Sequence, residues 1–207
     1  MNKSSFLLGI GAGVGLVILF MLNVFFFYKV GNKVVDSIEE SYENKKFEQI
    51  KNVAENFSVN FEDAKQGSIF TASSSGIMVV QDPLKQGNHC LQVEFPAGAS
   101  YPGILFQLPE NRGMNWQANK EFLADIYNPG LKPVKMTLKL KSGLKYPKKS
   151  YDKDFVVPQG KWVTVRLGID DLKRELDITK ISYIKYFISD PATTYNLYFD
   201  NFRVNKD

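Results

Sequence analysis

The chain has few of the residues on which enzymes most often depend. Its 207 residues include one histidine, His89, and one cysteine, Cys90, so an internal disulfide is excluded. These two residues are adjacent at a predicted strand, where neighbouring side chains point to opposite faces. We therefore expect a partly buried structural histidine rather than a cysteine nucleophile with a histidine base.

Other catalytic signatures are also missing from the sequence. No glycine-rich phosphate-binding loop joins a strand to a helix, because the glycines at 9 to 15 lie in a long apolar segment. Two carboxylate pairs, Asp152 with Asp154 and Asp170 with Asp171, have the residue types of a glycosidase. We interpret the first pair as loop charge and the second as a helix start. The sequence predicts a protein that is not an enzyme.

Charged residues are absent from Phe6–Tyr28, a run of 23 residues. About 20 apolar residues are enough to cross a bilayer as a helix. The run ends in bulky aromatic residues, whereas the apolar region of a cleavable signal peptide is shorter and ends in small ones. We expect residues 1–31 to be the uncleaved signal anchor of a single-pass membrane protein. Basic residues flank both ends of the run, so charge does not decide its orientation. The following domain is expected to be periplasmic or extracellular.

Residues 32–57 contain no proline and are dense in charge, which is typical of a helix. They predict a helical stalk or juxtamembrane linker. One interpretation is a stalk that holds the domain away from the membrane and pairs weakly with a second copy. The other is a solvated helix that lies on the domain. The apolar spacing slips near Lys45–Phe47, which is unfavourable for a long coiled coil.

Beyond Phe57 the sequence changes to short β-rich runs separated by turn residues. We predict strands near residues 57 to 61, 68 to 71, 77 to 81, 90 to 95, 103 to 107, 121 to 128, 134 to 141, 153 to 157, 161 to 167, 181 to 188 and 196 to 204. The one predicted helix in this part is Asp170–Leu176, a surface connection. Strands without intervening helices indicate a sandwich or barrel rather than a parallel α/β sheet.

The alternation of side chains sorts the faces of three of these strands. In the strand near 134 to 141 the buried set is Val134, Met136, Leu138 and Leu140. If this strand shares a sheet with those near 121 to 128 and 161 to 167, the outer face carries aromatic and charged side chains together. Those side chains are Asp125, Tyr127, Lys139, Lys141 and Arg166. Such a mixture suits sugars, although antiparallel sheets also commonly have one solvated polar face.

Short pieces spread in order along the chain carry a family resemblance. They are Asn60–Asp63, Gly87–Val93 with Tyr101–Ile104, Trp116, Phe122–Pro129, Phe155–Trp162, Leu176–Ile181 and Leu197–Asn201. Residues 58–206 resemble the galactose-binding-like jelly-roll domains found as carbohydrate-binding modules in bacterial polysaccharide-degrading and exopolysaccharide-linked proteins. The resemblance implies an all-β, two-sheet antiparallel jelly-roll sandwich over residues 58–207.

The same resemblance implies a structural calcium ion near the chain ends. Its ligands would be the carboxylates of Glu62 and Asp200 with carbonyls of the turn from Lys85 to Asn88. Calcium takes six to eight oxygen ligands, so this set is chemically reasonable. The alternative is that each carboxylate caps or hydrogen-bonds neighbouring backbone. Asp200 and Asn201 also interrupt an otherwise alternating last strand, which calls for a structural reason.

Residues 126–151 contain no acid but seven lysines, interleaved with Tyr146 and Tyr151. Local positive potential favours a polyanion such as an acidic polysaccharide. The same electrostatics permit anionic lipid or nucleic acid, the latter not being the partner we expect. A solvated lysine-rich hairpin is the alternative, since lysine on exposed strands discourages edge-to-edge association.

Together these features predict a membrane-anchored, non-catalytic protein that binds an envelope or extracellular polysaccharide through a carbohydrate-binding-module-like domain. The residues predicted to contact the ligand are Tyr101, Asp125, Tyr127, Lys139, Lys141, Tyr146, Tyr151 and Arg166. Some relatives of this fold are assembly factors. The alternative function is therefore a membrane-tethered scaffold that binds a protein partner through the same sandwich.

Overall fold

A computed structural model describes residues 57–84, 87–109, 112–143 and 149–205. These residues belong to one compact unit. The predicted membrane anchor, the stalk before Phe57, and the predicted site residues Lys85 and Tyr146 lie outside the described residues. No helix within the described ranges is long and apolar enough to span a membrane.

The described part of the chain is almost entirely β-structure. Its eleven strands are β1 (Ser58–Val59), β2 (Phe70–Ser73), β3 (Gly76–Gln81), β4 (His89–Phe95), β5 (Gly103–Gln107), β6 (Glu121–Tyr127), β7 (Val134–Ser142), β8 (Lys149–Val157), β9 (Trp162–Gly168), β10 (Ile181–Phe187) and β11 (Tyr195–Asn205). A 3-10 helix, Ala64–Ile69, precedes β2, and a short α-helix, α1 (Ile169–Leu172), follows β9. Each predicted strand is present, although β8 begins four residues earlier than predicted and residues 68 and 69 belong to the 3-10 helix.

The strands form two antiparallel sheets, which confirms the predicted all-β sandwich. The first sheet has the order β3-β4-β11-β6-β9, and β1 also pairs with β11. The second sheet has the order β2-β5-β10-β7-β8. The condition that β6, β7 and β9 share a sheet is therefore wrong, because β7 belongs to the second sheet. Alternation reveals which side of a strand faces the core, but it does not reveal the neighbouring strand.

The core lies between the two sheets and is rich in aromatic rings. The predicted inner set of β7, Val134, Met136, Leu138 and Leu140, is at most 2% exposed, which confirms that alternation. Burying each such side chain contributes about 1.5–3 kcal/mol. Phe57 also packs in this core, with its ring 5.2 Å from that of Phe106. Phe57 therefore contributes to the core of the sandwich.

The polar interruption of β11 is a β-bulge. Asp200 pairs with Asp125 of β6, but Arg203 pairs with Leu123, so β11 has one residue more than its partner between these pairs. Asn201 adopts φ 50°, in the left-handed region that asparagine tolerates better than most residues. The extra residue keeps both Phe199 and Phe202 in the core and leaves the two polar residues outside it.

Candidate functional site

A groove of about 560 Å3 runs across the outer face of the second sheet. Its floor comes from β10, β7 and β8, and Tyr101, just before β5, stands at its rim. The residues that line it are Tyr101, Thr137, Lys139, Lys141, Asp152, Asp154, Tyr183, Lys185, Phe187 and Ser189. We call this feature the groove.

Strand register explains why these side chains meet. In the second sheet, β7 lies between β10 and β8, and directly paired residues point to the same face. One row across the groove is Phe187, Thr137 and Asp154. The next row is Lys185, Lys139 and Asp152. Tyr183 pairs with Lys141 in a third row. The floor therefore combines aromatic rings, ammonium groups and carboxylates.

The two aspartates on the acidic side of the groove form ion pairs and hydrogen bonds with neighbouring side chains. Lys139 Nζ lies 3.0 Å from an oxygen of Asp152. Asp154 accepts a 2.7 Å hydrogen bond from Thr137 Oγ1 and forms a 2.7 Å ion pair with Lys135. The hydrogen bonds from Lys135 and Thr137 lower the pKa of Asp154. This carboxylate is consequently ionised and held in position.

The basic side of the groove is centred on Lys185. Its ammonium donates a 3.1 Å hydrogen bond to Ser73 Oγ and lies 5.4 Å from the centre of the Phe187 ring. Lys141 Nζ lies 4.7 Å from the centre of the Tyr183 ring. Partial burial lowers the pKa of Lys185, and the charges of Lys139 and Lys141 lower it further.

Tyr101 is a strained aromatic residue at the rim of the groove. It has φ 51°, which is uncommon for a residue with a side chain and costs about 1–3 kcal/mol. Its ring packs edge-to-face on Phe187, with centroids 5.7 Å apart, yet 52% of the residue is exposed. This conformation holds a partly exposed aromatic ring at the rim of the groove.

Three of the predicted contact residues lie instead on the outer face of the first sheet. Asp125 accepts a 2.6 Å hydrogen bond from Thr164 Oγ1 and pairs with Arg203 at 3.3 Å. Arg166 pairs with Glu121 at 3.1 Å. These ionic groups are therefore occupied by neighbouring side chains, on the side of the sandwich opposite to the groove.

Tyr127, the third of these residues, is nearly buried. Its ring lies 5.6 Å from that of Trp162 and 6.0 Å from that of Tyr198. Tyr151 lies on neither outer face, because it pairs with Leu140 and packs against the core. Of the predicted set, the groove brings together Tyr101, Lys139 and Lys141.

Sequence reasoning missed several groove residues. Tyr183, Lys185 and Phe187 of β10 alternate with Ile184 and Tyr186, so both faces of this strand are apolar or aromatic and the pattern does not rank them. Asp152 and Asp154, interpreted as loop charges, lie within β8 opposite Lys139 and Thr137. If the strand had been predicted to begin before Asp152, side-chain alternation would have placed both carboxylates on its outward face.

Three of the residues predicted to bind calcium, Glu62, Asn88 and Asp200, lie near Gly87. Glu62 Oε1 accepts a 2.8 Å hydrogen bond from the backbone N–H of Asn88, and Oε2 accepts one of 2.8 Å from Asn88 Nδ2. A Cβ atom added to Gly87 would lie 2.8 Å from Glu62 Oε1 and 3.7 Å from Asp200 Oδ2. Both carboxylates therefore border the same small space, which glycine leaves open.

This region carries concentrated negative potential. Burial, together with the charges of Asp125, Asp82 and Glu62, raises the pKa of Asp200 to about 7, although a hydrogen bond from the Asn201 N–H acts in the opposite direction. Burial, together with Asp82 and Asp200, raises the pKa of the Cys90 thiol to about 12. Hydrogen bonds from Asn88 lower the pKa of Glu62. A cation would relieve this excess of negative charge.

The donor set fits calcium better than a softer metal. Among the residues that the structure describes, no group of three or more His, Cys, Asp and Glu side chains is arranged to hold a metal ion. The other ligands would have to be carbonyl or amide oxygens, which calcium accepts.

The adjacent residues His89 and Cys90 point to opposite faces of their strand, as predicted, because His89 is exposed while Cys90 is buried. About half of the His89 side chain, 48%, is exposed.

The fold of this chain is similar to that of several solved structures. No protein-family model matches the chain, and no curated protein matches it. An exo-β-agarase structure shares the fold with a TM-score of 0.61 and 12% identity, over 72% of this chain and 25% of the agarase. This chain thus corresponds to about a quarter of that enzyme.

Two smaller structures are covered almost completely. The family 11 carbohydrate-binding module from Clostridium thermocellum, in complex with a β-1,3-1,4-mixed-linked tetrasaccharide, has a TM-score of 0.55 and 13% identity over 72% of this chain and 95% of the module. The CBM22-1 xylan-binding domain from Paenibacillus barcinonensis has a TM-score of 0.50 and 17% identity over 72% and 94%. At such identities the likeness shows the fold alone.

Proposed function

We propose that the sandwich is a non-catalytic carbohydrate-binding domain that binds a polysaccharide in the groove. The observation that carries this proposal is the groove itself, where the exposed ring of Tyr101 stands beside ammonium and carboxylate groups. The fold shared with a module in complex with a tetrasaccharide and with a xylan-binding domain supports it. The proposal includes attachment to a membrane through residues 1–31.

The groove offers two kinds of contact to a sugar chain. The exposed face of Tyr101 can stack on the C–H face of a sugar ring, as aromatic surfaces do. The lysines supply charged donors and the aspartates supply charged acceptors for hydroxyl groups. Because these groups lie in successive rows of one sheet, a ligand that spans several rows gains from all of them. An extended chain meets this requirement better than a single sugar.

The carboxylates of the groove are poorly suited to catalysis. A glycosidase needs one carboxylic acid that remains protonated near neutral pH. The pKa of Asp154 is lowered, and Asp152 is paired with Lys139. Asp200, the described carboxyl whose pKa is raised, lies outside the groove beside Glu62 and Gly87. Because the carboxyl group with the raised pKa lies outside the groove, the groove is better suited to binding than to catalysis.

Tyr101→Ala tests the proposal most directly. Binding of the purified full chain to xylan, mixed-linked β-glucan, agarose and acidic polysaccharides is measured by affinity electrophoresis and calorimetry. Loss of a stacking ring should weaken binding roughly 2- to 10-fold. Tyr198→Ala, which removes a ring from the outer face of the first sheet, is the matched control. Equal losses in both variants would argue against the groove. No binding by a folded chain would favour the scaffold function.

We further propose that a structural calcium ion binds between Glu62 and Asp200. The convergence of two carboxylates on the space beside Gly87 supports it, as does the raised pKa of buried Asp200. When bound, the ion would neutralise these charges and tie the loop after β1 to the last strand. Asn88, whose backbone and side chain hold Glu62, would position that ligand. Stability measurements with and without calcium test this second proposal.

A further inference from the structure

We propose that the polysaccharide bound in the groove is anionic, and that its carboxylate or sulfate groups dock on Lys139, Lys141 and Lys185. This inference rests on the proposed function and deepens it by naming the ligand class. It starts from an arrangement that costs the folded protein stability: three lysines side by side on one face of a sheet.

The positions of the three lysines follow from register. Lys139 and Lys185 are directly paired across β7 and β10, which places their Cβ atoms roughly 4.5–5.5 Å apart. Lys141 follows two residues later on the same face of β7, about 6.8 Å along the strand. Like charges directly opposite each other destabilise a sheet. A structural purpose alone would be served better by a neutral or acidic residue at one of these positions.

The nearby aspartates do not neutralise all of the lysines in the groove. Asp152 pairs with Lys139, and Asp154 is held by Lys135 from outside the groove. Within the described ranges, Lys141 and Lys185 form no ion pair with a carboxylate; Lys185 instead donates to Ser73 Oγ, and Lys141 lies over the Tyr183 ring. Four lysines thus face two aspartates, and the excess is positive.

The surroundings of Lys185 favour the binding of an anionic group. Partial burial and the two neighbouring lysines lower its pKa, which means that the charged form is less favoured here than in a fully solvated lysine. An anionic group that enters the groove would reverse this by pairing with the ammonium in partly desolvated surroundings, where charge-assisted hydrogen bonds are strong. A neutral sugar would leave the repulsion between the lysines in place.

The test compares acidic polysaccharides with their neutral counterparts on the full chain. The probes are polygalacturonate and alginate, each beside its carboxyl-reduced product, and dextran sulfate beside dextran. Xylan, mixed-linked β-glucan and agarose extend the neutral set, and single-stranded thymidine homopolymer serves as a polyanion without sugar-chain geometry. Affinities are measured at 50 and 500 mM NaCl, concentrations that differ strongly in screening.

Three substitutions locate the effect. Lys185→Met and Lys141→Met each remove an ammonium from the groove while preserving an unbranched apolar chain. Lys161→Met makes the same change in net charge at an exposed position just before β9, in the first sheet. Thermal unfolding of each variant confirms folding. Lys185→Met should unfold at an equal or higher temperature than the parent, because it removes repulsion.

We expect at least one acidic polysaccharide to bind 10-fold or more tightly than its neutral counterpart. Lys185→Met and Lys141→Met should each weaken this binding roughly 10- to 100-fold, and Lys161→Met should leave it unchanged. High salt should also weaken it. Preference for carboxylated or for sulfated chains identifies the anionic group.

The opposing outcomes separate the inference from the function on which it rests. Equal affinity for acidic and neutral chains would overturn the inference and leave carbohydrate binding standing. An equal loss in Lys161→Met, or equal affinity for the thymidine homopolymer, would show general polyanion attraction and overturn it as well. Failure of the folded chain to bind any of the polysaccharides would overturn both.

Discussion

Asparagine in place of Asp200 should stabilise the calcium-free protein at neutral and alkaline pH. Asp200 is 3% exposed and lies near Glu62, Asp82 and Asp125, and its pKa is raised to about 7. Asparagine is almost the same size and can still accept the hydrogen bond from the Asn201 N–H that Asp200 Oδ1 accepts at 2.7 Å. The substitution therefore removes a charge while it preserves shape.

The magnitude follows from linkage between protonation and folding. A pKa raised from 3.8 to about 7 corresponds to about 4 kcal/mol, at 1.36 kcal/mol for each pKa unit. Because the folded pKa is the higher one, the favourable contribution is present below about pH 3.8, falls as the pH rises, and is lost above about pH 7. Asp200→Asn should thus add up to about 4 kcal/mol at pH 8 and little at pH 4.

Urea unfolding followed by tryptophan fluorescence measures this difference, since both tryptophans, Trp116 and Trp162, lie in the sandwich. The chelator EGTA defines the calcium-free state. Calcium at 100 times its dissociation constant should stabilise the parent by about 2.7 kcal/mol and the variant by much less. Asp190→Asn makes the same charge change at an exposed position and should shift neither measurement by more than about 0.5 kcal/mol.

Two results would refute this reasoning. If Asp200→Asn is less stable than the parent at pH 8 without calcium, the carboxylate forms a favourable interaction that outweighs its burial. If calcium stabilises the variant as much as the parent, Asp200 is not a calcium ligand.

Three further substitutions test the fold and the calcium proposal. Gly87→Ala should weaken calcium binding measured by calorimetry, because the added Cβ would lie 2.8 Å from Glu62 Oε1. In the control Gly76→Ala the added Cβ makes only an ordinary contact, so this variant should bind calcium as the parent does. Leu138→Ala should lower the free energy of unfolding by about 2–5 kcal/mol, since this side chain is fully buried, and a smaller loss in urea unfolding would contradict its central place in the core. Asn201→Ala should cost about 1–2 kcal/mol because φ is 50°, with Asn201→Gly closer to the parent; equal losses would mean that the asparagine side chain, rather than the backbone, matters.

The sequence predicted the strands and their inner faces well because both depend on local patterns. Turn residues separate the runs, and period-two alternation identified the inner set of β7 correctly. The same local reasoning singled out Asp200 and Asn201 as an interruption, which the structure explains as a bulge. Of the residues predicted to contact the ligand, Tyr101, Lys139 and Lys141 line the groove, and alternation had placed the two lysines on the outward face of their strand.

Other placements could not be predicted because they depend on strand pairing. Asp125, Tyr127 and Arg166 were grouped with the lysines because alternation marks a face as outward without saying which sheet owns it. Tyr151 was predicted to contact the ligand without being assigned to a face, because the register of β8 on β7, which pairs it with Leu140, depends on contacts across the hairpin.

The all-β class, the strand positions and the inner residues of strands such as β7 follow from local sequence, since hydrophobic alternation and turn chemistry act within a few residues. Tertiary structure alone decided which strands are neighbours. β11 lies between β4 and β6, and β10 lies between β5 and β7, pairings between segments far apart along the chain. The groove is a product of the second of these pairings, because only the position of β10 beside β7 brings Lys185 to Lys139 and sets Phe187 beneath Tyr101.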